Sequence, residues 1–324
     1  MKELIKNFPE QLQESINISK TYQWTPERTI TNIVMCGLGG SGIGAEIVKE
    51  WARSSARIPI EVCHSYELPA YVGRTTLVIT CSYSGNTEET LSALAEAFVK
   101  QALVVGISSG GKLTEILTSK KCMLIKVPGG LPPRSALAYP LIQLIELLEQ
   151  GGFLKTAVME QVGASIAQLK SHQQEIIALA EKLLARSEDK KILLYSEDKF
   201  RPVLLRTCQQ INENSKELAF FNVIPEMNHN EIVGWAKDPI DFLVIFVRSD
   251  LENERNARRL DITSEIVSEK SATISVQSKG VNLIEQSLYL IHLFDWLSYL
   301  KAEQKGIDVV EVKVIDHLKA ELAK

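Results

Sequence analysis

The alternation of short apolar, β-branched runs with helical patterns constrains the fold of this chain more than any other sequence feature. In the first half, the strand candidates are residues 33–36, 60–63, 77–81, 103–107 and 123–127, and the helix candidates are 44–53, 88–100, 112–118 and 135–149. A strand followed by a helix and another strand requires a crossover connection, which produces a parallel sheet covered by helices on both faces. The first half therefore predicts an α/β fold.

The second half repeats this pattern after a long helical stretch at 158–186. Its strand candidates are 192–195, 219–222, 242–247 and 273–276, and its helix candidates are 203–215, 230–236, 253–269 and 283–301. A Gly151-Gly152 pair ends the last helix of the first half. We predict two similar domains, at residues 1–153 and 154–324, with the boundary near 151–157.

Composition and charge narrow the function classes. The 324 residues are 45% hydrophobic and 23% charged, which is typical of a globular protein, and the net charge of −4 argues against nucleic acid as a partner. No apolar run reaches the roughly 20 residues of a membrane span, and the N-terminus has no apolar signal core. The five cysteines form no C-x-x-C pair, which indicates reduced thiols in a cytoplasmic protein.

The turn after the first strand is glycine-rich and reads CGLGGSGIG at 36–44. Glycines let a backbone approach a ligand closely, and the following helix N-terminus offers unpaired N–H groups to an anion. The G-x-G-x-x-G pattern also occurs in nicotinamide-binding domains, but Glu61 begins the next strand instead of ending it, so the confirming acid is missing. Ser41 instead indicates a hydroxyl donor to a phosphate. A tight turn without a ligand is the alternative.

The turn after the third strand carries three hydroxyls. Ser82, Ser84 and Thr87 surround one strand-to-helix corner in the run LVITCSYSGNTEET at 77–90. Hydroxyls together with the N–H groups of a helix start form a neutral cradle for a phosphate dianion. An ordinary helix N-cap at Asn86 or Thr87 is the alternative, and it accounts for one of the three hydroxyls.

This S-x-S-G-x-T-x-E pattern resembles the sugar-phosphate loop of the sugar isomerase (SIS) domain family. With GxGGSGIG in the first domain, the chain resembles the bifunctional phosphoglucose/phosphomannose isomerases over nearly its whole length. Further matches, in the family's order, are PPRSA at 132–136, QINENSK at 210–216, EMNHNEI at 226–232 and IDHLK at 315–319. The resemblance implies two tandem SIS (flavodoxin-like) domains, each a parallel sheet flanked by helices.

The resemblance also implies a reaction, the interconversion of glucose 6-phosphate, mannose 6-phosphate and fructose 6-phosphate through a cis-enediol(ate). Such aldose–ketose isomerisation needs a base, a group that neutralises the enediolate, and acid/base groups that open the sugar ring. By resemblance, the hexose 6-phosphate is held through its phosphate by the following residues: Gly40, Ser41, Ser82, Ser84 and Thr87.

Four further residues receive catalytic roles by resemblance. Glu213 is the base that shuttles the proton, Arg134 stabilises the enediolate, and His229 and Lys319 open the ring. Carboxamides are unusually frequent beside Glu213, at positions 209, 210, 212 and 214. The alternatives are a solvated helix carboxylate for Glu213, surface residues for Arg134 and His229, and an ordinary helix-ending lysine for Lys319.

The same resemblance implies that His229 reaches the active site of a partner subunit, and hence a homodimer. No H-E-x-x-H motif or His/Cys spacing of ligand type occurs, so we expect catalysis without a metal or redox cofactor. The other histidines, at positions 64, 172, 292 and 317, lack a motif and are expected to be structural or surface residues.

Other functions remain open. SIS domains also serve as phosphosugar sensors in transcription regulators, but the N-terminal segment of about 30 residues is too short for a helix-turn-helix domain. Related isomerases on the same fold, such as sedoheptulose phosphate isomerases and aminosugar isomerase domains, match the length and motifs less well. A nicotinamide-dependent dehydrogenase is the weakest alternative.

Overall fold

The computed structural model describes residues 1–236 and 241–322, which form two compact units. One unit comprises Asn7–Gln168, and the other comprises Met1–Lys6 with Leu169–Lys324. The division falls inside a long helix, later in the chain than the predicted domain boundary after residue 153. That boundary stays a prediction.

The elements follow the predicted alternation closely. The strands are β1 Asn32–Cys36, β2 Ile60–Cys63, β3 Thr76–Cys81, β4 Leu103–Ser108, β5 Met123–Lys126, β6 Lys191–Glu197, β7 Phe220–Ile224, β8 Phe242–Arg248 and β9 Ala272–Gln277. The helices are α1 Lys2–Lys6, α2 Phe8–Ser19, α3 Gly39–Ala52, α4 Glu88–Val99, α5 Gly111–Ser119, α6 Ala138–Gln150, α7 Met159–Arg186, α8 Arg201–Gln210, α9 Glu254–Ser268, α10 Leu283–Gln304 and α11 Lys313–Leu322.

The sheet of the Asn7–Gln168 unit has the strand order β2-β1-β3-β4-β5, and all of its strand pairs are parallel. Every residue of β3 is buried, as expected of a strand covered on both faces. The order is that of flavodoxin-like folds, whose ligands bind where the direction of strand succession reverses, between the first and third strands. The register places Cys36 beside both Cys63 and Thr80, so the turns after β1 and β3 leave the same edge of the sheet side by side.

The sheet of the other unit has the order β7-β6-β8-β9 and is also entirely parallel. Counted within this unit, the order is second, first, third and fourth strand, which matches β2-β1-β3-β4 of the other sheet. A buried cluster on this sheet includes Tyr195, Met227, Trp235, Phe246 and Leu260. The predicted fold class, two α/β units with parallel sheets flanked by helices, is confirmed.

Three predicted helices differ most from the observed elements. Helix α3 begins at Gly39, five residues before its predicted start. The sequence does not predict this first turn because it consists largely of glycines, which have poor helix propensity. The predicted helix at 203–215 is α8 followed by a π-helical turn at Ile211–Ser215. The predicted helix at 230–236 is a 3₁₀ segment at Glu231–Ala236, preceded by another at Glu226–His229. Among the described residues, no helix combines the length and the apolar character that a membrane span requires.

Candidate functional site

The glycine turn, which we define as Gly37–Gly42, leads from β1 into α3. The Leu38 carbonyl accepts hydrogen bonds from the N–H groups of Ser41 and Gly42, each at 3.2 Å. A Cβ atom on Gly40 would lie 2.7 Å from the carbonyl oxygen of Pro133, closer than real Cβ atoms come to backbone. Position 40 therefore accepts only glycine if this turn is to pack against the 3₁₀ turn Pro133–Ser135.

The serine turn, which we define as Ser82–Thr87, leads from β3 into α4. The hydroxyls of Ser82 and Thr87 are hydrogen-bonded to each other at 2.9 Å, and the Asn86 N–H donates to Ser84 Oγ at 3.3 Å. Thr87 is the N-cap residue of α4, yet in the described structure its side chain makes no capping bond. Its hydroxyl thus faces Ser82 at the corner, which the N-cap alternative does not explain.

Tyr83 connects the two turns. Its N–H donates to Ser41 Oγ at 3.3 Å, and its carbonyl accepts from Ser109 Oγ at 2.6 Å. Its phenolic oxygen accepts from the Leu131 N–H at 3.1 Å. Tyr83 was not among the predicted site residues, although its position between two candidate serines was the available signal. Through Tyr83, Ser41 and the serine turn are held together at one edge of the sheet.

The serine turn is also locked to the loop that follows β4. Gly85 has φ +69°, and a Cβ atom there would lie 1.7 Å from the Gly110 carbonyl oxygen. The Gly85 carbonyl accepts from the Leu113 N–H at 2.9 Å. Both the positive φ and the close approach require glycine, so the backbone of this corner is fixed before any ligand binds.

Arg134 lies in the 3₁₀ turn that packs against the glycine turn. Its side chain is only 5% exposed, which is unusual for arginine and differs from the surface residue considered as the alternative. Its Cα lies 3.6 Å from the position that a Cβ on Gly40 would occupy. The structure therefore brings Arg134 next to the predicted phosphate-binding residues of the same unit.

Glu213 lies in the π-helical turn Ile211–Ser215, in the other unit. Its side chain is half-buried, and its carbonyl accepts a hydrogen bond from Lys216 Nζ at 2.6 Å. Lys216 Nζ also donates to the Glu311 carbonyl at 2.6 Å, so the segment leading into α11 lies against this turn. π-Helical turns inside helices are frequent at functional sites, because the extra residue redirects a side chain.

A buried polar network on α10 supports the Glu213 turn. Arg206 Nη2 lies 2.7 Å from Asp295 Oδ2, and Gln210 Nε2 donates to Asp295 Oδ1 at 2.9 Å. Asn214 Nδ2 donates to Ser298 Oγ at 2.9 Å. These bonds explain two of the carboxamides around Glu213: they hold the end of α8 and the π-helical turn against α10.

His229 ends the 3₁₀ segment Glu226–His229 and is exposed. The segment is anchored through Glu231, whose carboxylate accepts hydrogen bonds from the Tyr195 hydroxyl and from Asn222 Nδ2. Burial raises the pKa of Tyr195, so this phenol stays a donor. The exposed imidazole therefore projects from a rigidly attached segment.

Lys319 is exposed on α11, which buries none of its residues. The apolar residues Val314, Leu318 and Leu322 of the same helix are also exposed, at 84%, 58% and 67%. The structure thus places Lys319 on a helix whose apolar residues are uncovered in the single chain.

The second sheet has its own reversal of strand succession, between β6 and β8, but the chain itself fills it. Glu197, at the end of β6, accepts a hydrogen bond from the Asn253 N–H at 3.2 Å. Glu252 accepts from the Ser249 N–H at 2.7 Å, and Ser249 Oγ donates to Gln286 Oε1 at 2.5 Å. Carboxylates of the protein thus already accept hydrogen bonds from two backbone N–H groups at this reversal.

Replacing Gly40 by alanine is expected to weaken phosphate binding about tenfold or more, because the added methyl group displaces the glycine turn from the Pro133 carbonyl. Gly163→Ala is the matched control: its Cβ meets nothing within 4 Å, and in α7 it should slightly stabilise the protein. Calorimetric titration with inorganic phosphate measures both variants. Equal affinities in both would contradict the assigned packing.

Comparisons with known proteins identify relatives of this chain. The family model described as bacterial phospho-glucose isomerase C-terminal SIS domain matches residues 173–322. A bifunctional phosphoglucose/phosphomannose isomerase of Caldicellulosiruptor bescii is 36% identical, covering 100% of this chain and 99% of that protein. Another from Aquifex aeolicus is also 36% identical, covering 90% of each. A D-glucosamine-6-phosphate 4-epimerase of Sulfolobus acidocaldarius is 31% identical, covering 86% of this chain and 88% of that protein.

A solved structure supports the fold. The C-terminal domain of glucosamine-fructose-6-phosphate aminotransferase from Francisella tularensis superposes with a TM-score of 0.76 and 15% identity, covering 95% of this chain and 97% of that one. At 15% identity this match shows the fold alone, whereas the full-length relatives also share sequence. Because these relatives are 36% identical over nearly their whole length, the chain belongs to the family of bifunctional phosphoglucose/phosphomannose isomerases.

Proposed function

We propose that this protein interconverts glucose 6-phosphate, mannose 6-phosphate and fructose 6-phosphate. The observation that carries the proposal is the joining of the glycine turn to the serine turn by the Tyr83 N–H on Ser41 Oγ. It holds hydroxyls and two helix starts together where flavodoxin-like folds bind ligands. The relatives at 36% identity support the same substrates.

The phosphate is bound by the two turns. The N–H of Gly40 and the hydroxyls of Ser41, Ser82, Ser84 and Thr87 donate to its oxygens. Neutral donors suit a site that must release its product, since each bond is weaker than one to an ammonium or guanidinium group. The fixed backbone at Gly85 supports this role, because a preformed cradle needs no reordering when the ligand arrives.

Glu213 moves the proton. Its carboxylate removes the proton from C2 of the open-chain aldose, the C–H electrons form a C1–C2 double bond, and the C1 oxygen becomes the enediolate oxygen. A proton then passes from the C2 hydroxyl to the C1 oxygen, and return of the carbon-bound proton to C1 gives fructose 6-phosphate with its carbonyl at C2. Because glucose and mannose 6-phosphate differ only at C2, both give the same enediolate. One base serves both sugars when rotation about the C2–C3 bond turns the C2 hydrogen of either epimer toward Glu213. Arg134 stabilises the negative charge.

His229 and Lys319 open the sugar ring as acid/base groups. Imidazole is the side chain that most often transfers protons as a general acid or base. We place His229 in the active site of a second copy of the chain, which makes the enzyme a homodimer. The exposure of His229 and of the apolar residues on α11 in the single chain supports this arrangement. The reduced, mostly buried cysteines support a cytoplasmic location.

Separate assays that start from glucose 6-phosphate and mannose 6-phosphate test the proposal. With a chelator present, each substrate is expected to yield fructose 6-phosphate, detected by a coupled enzyme. Activity with one substrate only would limit the proposal to that sugar. Phosphosugar binding without turnover of either would instead identify a sensor, and the proposed function would be wrong.

The relative named D-glucosamine-6-phosphate 4-epimerase favours a second candidate, epimerisation of an aminosugar phosphate on the same phosphate cradle. Incubation with glucosamine 6-phosphate, followed by proton NMR, distinguishes the two candidates. Isomerisation of the hexose phosphates that lack an amino group, with no change of glucosamine 6-phosphate, would exclude epimerase activity. Formation of the C4 epimer of glucosamine 6-phosphate would establish a 4-epimerase.

A further inference from the structure

His64 lacks a sequence motif and was expected to be a structural or surface residue. It directly follows β2, and its ring lies between α3 and the glycine turn. Nδ1 lies 2.8 Å from the Gly37 carbonyl oxygen, and Nε2 lies 3.0 Å from Glu46 Oε1. A carbonyl and a carboxylate can only accept hydrogen bonds, whereas neutral imidazole has a single N–H. Both bonds therefore form only when His64 is the doubly protonated cation.

The charges around the ring agree with this protonation state. The hydrogen bond to Glu46 raises the pKa of His64 above its usual value, although burial opposes the rise, and the same bond lowers the pKa of Glu46. The hydrogen bond with Cys36 lowers the pKa of Cys63, next to His64, to about 6. The charged and titratable groups near the ring are Glu46 and Lys49 on α3, Glu61 and Cys63 on β2, and Cys36 on β1.

The ring also packs against the glycine turn. A Cβ atom on Gly42 would lie 3.0 Å from His64 Cε1 and 2.5 Å from the Gly37 carbonyl oxygen. Gly37 itself donates its N–H to the Cys63 carbonyl at 3.2 Å, so the end of β2 holds both sides of the first glycine. The orientation of the Gly37 peptide sets the direction in which the next residues, including Ser41, present their donors.

We propose that the His64 imidazolium is a positioning residue for the glycine turn and makes phosphosugar binding depend on pH. This inference rests on the proposed function only in taking the glycine turn as the phosphate site. Below the pKa of His64 in the folded protein, the cation donates to both Gly37 and Glu46, and its charge also favours a nearby anion. As the pH rises through that pKa, one bond and the charge are lost, and affinity falls.

His64→Gln is expected to raise the KM for fructose 6-phosphate about tenfold at pH 6, because a bond from a charged donor is lost, while kcat changes less than about twofold. The distinguishing result is the ratio of the KM of the variant to that of the wild type. It should approach one at alkaline pH, where wild-type His64 is neutral. The titration of the substrate phosphate, near pH 6, cancels in the ratio.

His172→Gln is the matched control, since His172 lies on α7 in the other compact unit and hydrogen-bonds Ser171 at 3.1 Å. Its KM should match the wild type at every pH. Glu46→Gln supplies a second test. Removal of the carboxylate should lower the pKa of His64, so the KM of this variant should begin to rise at a lower pH than the KM of the wild type. A KM ratio for His64→Gln that is the same at all pH values, or equal to one throughout, would overturn the proposal.

Calorimetric titration with inorganic phosphate separates this inference from the proposed function. If the wild type binds phosphate but isomerises no sugar, the proposed function fails while the His64 comparison can still be made on phosphate affinity. We expect the affinity of His64→Gln for phosphate to be about tenfold lower at pH 6 and equal to the wild type at pH 9. Equal phosphate affinity of the two proteins at pH 6 would refute the role of His64, whatever the enzymatic activity.

Discussion

Glu213→Gln is expected to lower kcat about a thousandfold or more while leaving phosphosugar binding nearly intact. Glutamine keeps the size and the hydrogen-bonding capacity of the side chain but cannot accept a proton, and loss of a general base costs about a hundredfold to ten-thousandfold. The phosphate-binding residues proposed here are unchanged. Turnover of fructose 6-phosphate gives kcat, and calorimetry with an inert phosphosugar gives the affinity. Proton transfer itself is measured as deuterium uptake at C1 and C2 in heavy water.

Glu254→Gln provides the matched control, because Glu254 is an exposed carboxylate in the first turn of α9, in the same unit as Glu213. It should retain wild-type kcat. Near-wild-type activity of Glu213→Gln would defeat the assignment of the base, and deuterium uptake without net isomerisation would show that another group removes the proton.

Mixed dimers extend this test to the partner subunit. When chains carrying Glu213→Gln are combined with chains carrying His229→Gln, one of the two active sites of each mixed dimer would carry neither substitution if His229 acts across subunits. Activity should then reappear in a mixture of two nearly inactive proteins. If mixed dimers form but stay inactive, His229 does not act across the interface.

Asp295→Ala is expected to lower the free energy of unfolding by about 3–5 kcal/mol, because it leaves the buried guanidinium of Arg206 without its carboxylate. Gln210 would also lose its acceptor. Urea denaturation followed by circular dichroism gives the change. We also expect kcat to fall in the folded variant, since Gln210 immediately precedes the π-helical turn that carries Glu213.

The exposed pair of Arg201 and Asp198, at 2.9 Å, supplies the control for this change. Because both side chains are accessible to water, Arg201→Gln should cost at most about 1 kcal/mol. Comparable losses in the two variants would mean that the Arg206–Asp295 pair does not hold α8 against α10 as the structure indicates.

The strands could be predicted from the sequence because strands of a covered parallel sheet are continuous apolar runs. The prediction of 77–81 therefore differs from β3 by only one residue. Ser41 and the serine turn were grouped in the sequence by their resemblance to the SIS family, and in the structure the two turns leave adjacent strands. By contrast, the glycines at the start of α3 and the π-helical turn have no periodic pattern that would reveal them.

The bonds of His64 could not be predicted for a different reason. Its partners, Gly37 and Glu46, lie 27 and 18 residues earlier in the chain, and only the packing of β2 beside β1 and α3 brings them together. Tyr83 is similar, because its bond to Ser41 joins residues 42 positions apart. Residues whose roles depend on such distant contacts look ordinary in a single sequence.

The carboxylates at the reversal point of the second sheet bear on how many anions the chain can bind. Two units with the same strand succession could in principle each take up one anion. Since Glu197 and Glu252 already occupy the N–H groups of Asn253 and Ser249, the repeat of the architecture does not duplicate the binding site. We therefore expect each polypeptide to saturate with a single phosphosugar.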